Sequence, residues 1–150
     1  MGPGRAVGAT LTAAALSCVL GLAVGCGPNT DPDTEVLRSG DTYLLKETEE
    51  YTGDVGGMGF SGVLAIVDGC VGVQAAEPLV IVFPPSAQLE GEGDDVVVSV
   101  DGVRLQVGDS FDAGTRSTAD GRPLSAFGDL EDQAPDSCRH TSAIQLDEFE

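Results

Sequence analysis

Two apolar runs separated by a single Asp-Gly step constrain this chain more than any other feature. Residues 63–67 (VLAIV) and 70–73 (CVGV) flank Asp68-Gly69. Asp-Gly between apolar runs favours a type I′ turn, which needs positive φ at both central residues. That turn sets Val67 opposite Cys70, Ala65 opposite Gly72 and Val63 opposite Gln74, and opposed residues share a face. The other face carries Leu64, Ile66, Val71 and Val73 and is the expected core side. Cys70 falls on a second face that is also apolar and needs a cover. If Cys70 is bridged to another cysteine, the partner's segment is the natural cover. The run Leu79–Phe83 comes next, β-branched and aromatic, without alternation, and is stopped by Pro84-Pro85. Such a run suits a strand buried on both sides.

A second hairpin of the same design spans residues 96–107. Asp101-Gly102 sets Val100 opposite Val103, Val98 opposite Leu105 and Val96 opposite Val107. Ser99, Arg104 and Gln106 alternate onto the other face, as in an antiparallel sheet with one wet side. Further short strands are expected within 41–48, around Phe111 in 110–113, and at 142–146. A helical turn is expected over 124–130. The expectation is one all-β domain over 41–150, of about six short antiparallel strands. It closes as a small barrel or a two-layer sandwich, with an OB-like closure among the arrangements open to it.

Residues 1–26 have the shape of an export signal, with a lone Arg5, an apolar stretch over 6–24 and a small-residue end. That end reads Leu22-Ala23-Val24-Gly25-Cys26 and resembles the lipobox of bacterial lipoproteins. The resemblance implies a signal peptide, residues 1–25, cut between Gly25 and Cys26. It also implies a diacylglycerol on the Cys26 sulfur and an acyl chain such as palmitate on its amine. Two or more chains are what stable anchoring requires. The implied place is the extracytoplasmic face of the cell membrane, with residues 26–40 as an acidic tether. An uncleaved helical anchor and plain secretion are the alternatives. With Cys18 removed and Cys26 lipidated, Cys70 and Cys138 remain as an even pair in an oxidising compartment, and a disulfide between them is expected. Residues 60–150 also resemble small lipoproteins of high-GC actinobacteria. The shared pieces are DGC at 68–70, VFPP at 82–85, the V-G-D turn ending at Asp109, and the late Cys138. No activity travels with that resemblance.

Charge narrows the function classes. All 25 acids and six of the seven bases follow Cys26, so the chain from that residue onward carries −19. Nucleic acid, whose phosphates need Lys and Arg, is an unsuitable partner. Docking on anionic headgroups through a basic patch is excluded on the same ground. Arg116 and Arg122 fall together in the polar loop 114–123. They form either an anion-binding rim or a local balance for Asp112 and Asp120.

No catalytic constellation stands out. The lone histidine, His140, follows Cys138 closely. Ser61 in GFSGV fails the spacing of a nucleophile elbow. The glycine-rich stretch 49–59 lacks the Lys-Ser/Thr of a phosphate loop. The acidic loop 86–95 does not match an EF-hand, and two cysteines with one histidine do not give a zinc spacing. Neither cofactor nor metal is called for. The favoured reading is a lipid-anchored envelope module, without enzymatic activity, that binds a partner protein or a small ligand. The alternatives are a small surface hydrolase using His140 or paired acids, and a calcium-dependent binding protein.

Overall fold

The computed structural model describes residues 33–52, 58–116 and 121–150. Gly25, Cys26 and the first part of the tether lie outside them, as does Asp120. The described residues are mostly strand: β1 (Thr34–Ser39), β2 (Thr42–Glu47), β3 (Met58–Val67), β4 (Cys70–Gln74), β5 (Leu79–Phe83), β6 (Gln88–Glu90), β7 (Val97–Val100), β8 (Val103–Gln106), β9 (Ser110–Thr115) and β10 (Ala143–Asp147). A 3-10 turn at Leu124–Ala126 and a single-turn helix α1 (Leu130–Gln133) are the helical pieces between β9 and β10.

Both Asp-Gly turns form as the spacing demands. Asp68 and Gly69 take φ of 50° and 85°, and Asp101 and Gly102 take 50° and 86°. Val67 pairs with Cys70 and Val63 with Gln74, while Val100 pairs with Val103 and Val98 with Leu105.

β3 pairs with β4 on one side and β9 on the other. β9 pairs with β10, β10 with β5, and β5 returns to β4. These strands therefore close on themselves. In chain order the ring runs first, second, third, fifth, fourth and back to first, the Greek-key order of an OB-like five-stranded barrel. The expectation of antiparallel pairing holds for the hairpins but not throughout. β5 and β10 are parallel, and β2 runs parallel to both β4 and β5. Parallel neighbours need a long crossover, which residues 84–142 supply for β5 and β10.

The tether reading is corrected at its C-terminal end. Residues 34–39 form β1, paired along its whole length with β2. The two strands turn through Gly40, which takes φ of 58°. Leu37 packs toward the barrel interior while Val36 packs on the outer wall. This period-2 split is that of a strand, not of a solvated linker.

The interior cluster holds Leu44, Leu64, Val71, Val73, Ile81, Phe83, Ile144 and Leu146, each at most 1% exposed. Fully burying such a side chain is worth roughly 1.5–3 kcal/mol. The separate sheet β6-β7-β8 contributes Val98, Val100 and Leu105 to the same cluster. The last residues dock on the barrel rather than trailing into solvent. Phe149 stacks on Phe83 at 5.4 Å and meets Phe111 at 5.5 Å between ring centroids. The backbone N–H of Glu150 donates to the Asp112 carbonyl at 2.9 Å.

Candidate functional site

The outer wall of the barrel is also apolar, and a flap formed by residues 121–142 covers it. Leu124, Phe127, Leu130 and Ala134 of the flap pack on Leu45, Val67, Val80 and Val82 of the wall. Covalent and hydrogen bonds add to this packing, among them Thr141 Oγ1 donating to Asp68 at 3.0 Å and the Val80 N–H donating to the Ser142 carbonyl at 2.9 Å. Cys138 is disulfide-bonded to Cys70, as the cysteine arithmetic required. At its other end, Arg122 and Ala143 exchange backbone hydrogen bonds of 2.8 and 2.7 Å. Gly121 permits that approach, since a Cβ there would lie 2.4 Å from Leu79 Cδ2. The apolar second face of Cys70 thus has the cover that the first hairpin called for.

Beside the flap the wall turns polar. Glu47 ends β2, Asp147 ends β10, and Arg116 follows β9. Arg116 Nη1 and Nη2 donate to the two oxygens of Glu47 at 3.0 and 2.7 Å. Its Nε and Nη2 donate to Asp147 at 2.5 and 2.7 Å. Gln145 Nε2 completes the cluster by donating to Glu47 Oε1. Glu47 is 1% and Asp147 7% exposed. Burial pushes the Glu47 carboxyl above the ordinary glutamate value. The hydrogen bonds and charge of Arg116 oppose that rise, and the Asp147 charge adds to it. At Arg116 burial works against the charge, but the hydrogen bonds and charges of Asp147 and Glu47 outweigh it and raise the pKa. Removing one partner of such a buried pair costs on the order of 3–5 kcal/mol, because the other charge is left unpaired.

This cluster forms one wall of a cavity of about 190 Å³ between barrel and flap. The barrel contributes Glu47, Val82, Arg116 and Gln145; the flap contributes Arg122, Ala126 and Phe127. Tyr51, 47% exposed, lies over the Arg116 guanidinium at 4.3 Å. Arg122 lies over the Phe127 ring at 4.7 Å, and among the described residues no carboxylate is ion-paired with it. Thr34 also lines the cavity, and its buried Oγ1 has no hydrogen-bond partner.

The two loop arginines therefore share a site, but in different roles. Arg116 is saturated by distant acids rather than by Asp112, which accepts a hydrogen bond from Ser61 Oγ. Among the described residues Arg122 has no ion-paired carboxylate, and Asp120 lies outside them. Sequence reasoning missed Glu47, Asp147, Gln145 and Thr34. The local signal it passed over for Thr34 is Gly40-Asp41, a two-residue hairpin step. His140 is exposed, and among the described residues no hydrogen bond or ion pair joins it to a serine or a carboxylate. No group of three or more potential metal ligands gathers among the described residues, and none of their helices is long and apolar enough to cross a membrane. Comparison with protein-family models, with curated proteins and with solved structures finds no match to the chain.

Proposed function

We propose that this chain is an extracytoplasmic lipoprotein, anchored through acylated Cys26, whose β domain is a non-enzymatic binding module. The observation that carries the binding reading is the cavity under the flap. It has the barrel wall on one side, a disulfide-held flap on the other, an Arg122 that no carboxylate among the described residues ion-pairs, and an unsatisfied Thr34 hydroxyl. Small-ligand sites combine an apolar lining with a few such polar groups. The Cys70–Cys138 bridge supports the compartment, since structural disulfides persist where conditions are oxidising.

Two experiments test the two halves. Intact mass of the membrane-extracted protein should show a chain starting at Cys26, heavier by a diacylglycerol and an acyl group. A chain without lipid contradicts the anchor. For binding, thermal-shift screening of neutral, cationic and anionic small molecules should yield stabilisers that lose their effect when Ala126→Phe fills the cavity. Stabilisers indifferent to that substitution, or none at all, contradict the module.

A further inference from the structure

We infer that the cavity under the flap takes a small organic monoanion, a carboxylate on a flat apolar body. The inference deepens the binding reading and rests on it.

The charged groups around the cavity are not equivalent. Both Glu47 oxygens are engaged by Arg116, and one of them also by Gln145. Glu47 therefore offers a ligand cation little free acceptor. The Arg116 guanidinium is likewise spent on two carboxylates and capped by Tyr51. Among the described residues, Arg122 is the cavity's cation without an ion-paired carboxylate. Its backbone is fixed by the bridge to Ala143 and its guanidinium by the Phe127 ring. A guanidinium so oriented matches a carboxylate through two parallel N–H···O bonds.

The strong negative charge of the whole chain does not forbid this. Exposed charges more than about 8 Å away are largely screened at physiological salt, so the groups lining the cavity decide. One unpaired guanidinium suits one negative charge. A dianion such as phosphate would bring a second charge toward Glu47 and Asp147, and among the described residues lining the cavity the other cation, Arg116, is already spent on those two carboxylates. Thr34 Oγ1, buried and unpartnered on the same cavity, supplies a hydroxyl donor for the second carboxylate oxygen or for a polar group on the ligand. Leaving such a group unpaired is unfavourable, and a ligand that accepts from it relieves that cost. Val82, Ala126 and Phe127 line the apolar side of the cavity, where a hydrocarbon body would meet no polar side chain of theirs.

The test uses benzoate, benzamide, benzylammonium and inorganic phosphate, titrated into the full-length protein labelled with ¹⁵N. Benzoate should shift backbone signals around Thr34, Arg122, Phe127 and Gln145. It should bind at least about tenfold more tightly than benzamide, its neutral counterpart. Arg122→Gln should remove that preference and Thr34→Val should weaken benzoate a few-fold. The benzoate-to-benzamide ratio in the unaltered protein reads the same claim without any substitution. Tighter binding of benzylammonium or phosphate overturns the inference, as does benzoate binding untouched by Arg122→Gln. If none of the four probes binds while other compounds stabilise through the cavity, the ligand class falls and the module stands.

Discussion

β5 has two buried faces, and they are buried by different means. Leu79, Ile81 and Phe83 point into the barrel and join an apolar cluster with side chains of the ring, of β2, of the β6-β7-β8 sheet and of Phe149. Val80 and Val82 point outward and would face water but for the flap. The interior is held by apolar area, which is non-directional and tolerant of detail. The outer wall adds to its own apolar packing against the flap one disulfide and a backbone bridge, and beside the flap a buried Arg116 flanked by two carboxylates. These are directional, and they leave a gap where flap and wall do not fill each other. The cavity sits on the side where the cover combines apolar packing with directional fastenings.

The largest effect on this contrast should come from Arg116→Ala, which strands Glu47 and Asp147 without their cation. Loss of about 3–5 kcal/mol is expected in denaturant unfolding. Its pH dependence sharpens the point. The folded pKa of Glu47 is already above its unfolded value, so the folded chain holds that proton more tightly than the unfolded chain. Stability linked to Glu47 is therefore complete below the unfolded pKa and falls as pH rises through the folded one. Without Arg116 the burial of Glu47 stands less opposed, so the deficit of the variant should grow from acid to neutral pH. A deficit flat with pH would contradict the account of the cluster.

Removing the bridge with Cys70→Ala and Cys138→Ala together should cost about 4 kcal/mol in the chain-entropy model, for a sequence separation of 68 residues. The loss should be independent of pH between 5 and 8. Ile81→Val, on the interior face of the same strand, should cost about 1 kcal/mol, also flat with pH and without effect on ligand binding. Arg122→Gln should be smallest, within about 0.5 kcal/mol, because the side chain is exposed. Its effect should appear in ligand titrations instead.

The interior half of the molecule was legible because it obeys local rules. Asp68-Gly69 and Asp101-Gly102 set two hairpins and their registers from four residues. The unalternating run Leu79–Phe83 announced a strand covered twice. The need for a cover over Cys70, and Cys138 as its bearer, followed from face assignment and cysteine arithmetic. The ion cluster was not legible. Glu47, Arg116 and Asp147 are 69 and 31 residues apart along the chain, and only closure of the ring brings three strand ends together. Nothing local distinguishes Glu47 from the surrounding surface acids of an acidic chain, and Asp147 reads as the first residue of a charged terminus. β1 was lost for a simpler reason. Its charged and prolyl surroundings outweighed the Gly40-Asp41 turn and the Val36/Leu37 split.

The separation of the two faces is tested most directly by hydrogen exchange on the native protein and on the Cys70→Ala/Cys138→Ala variant. Amides of the flap, 122–139, should lose protection in the variant, while those of β3, β4 and β9 keep most of theirs. Equal loss across flap and barrel, or a flap as protected as before, would contradict the claim that the flap is a separately fastened cover over the outer wall.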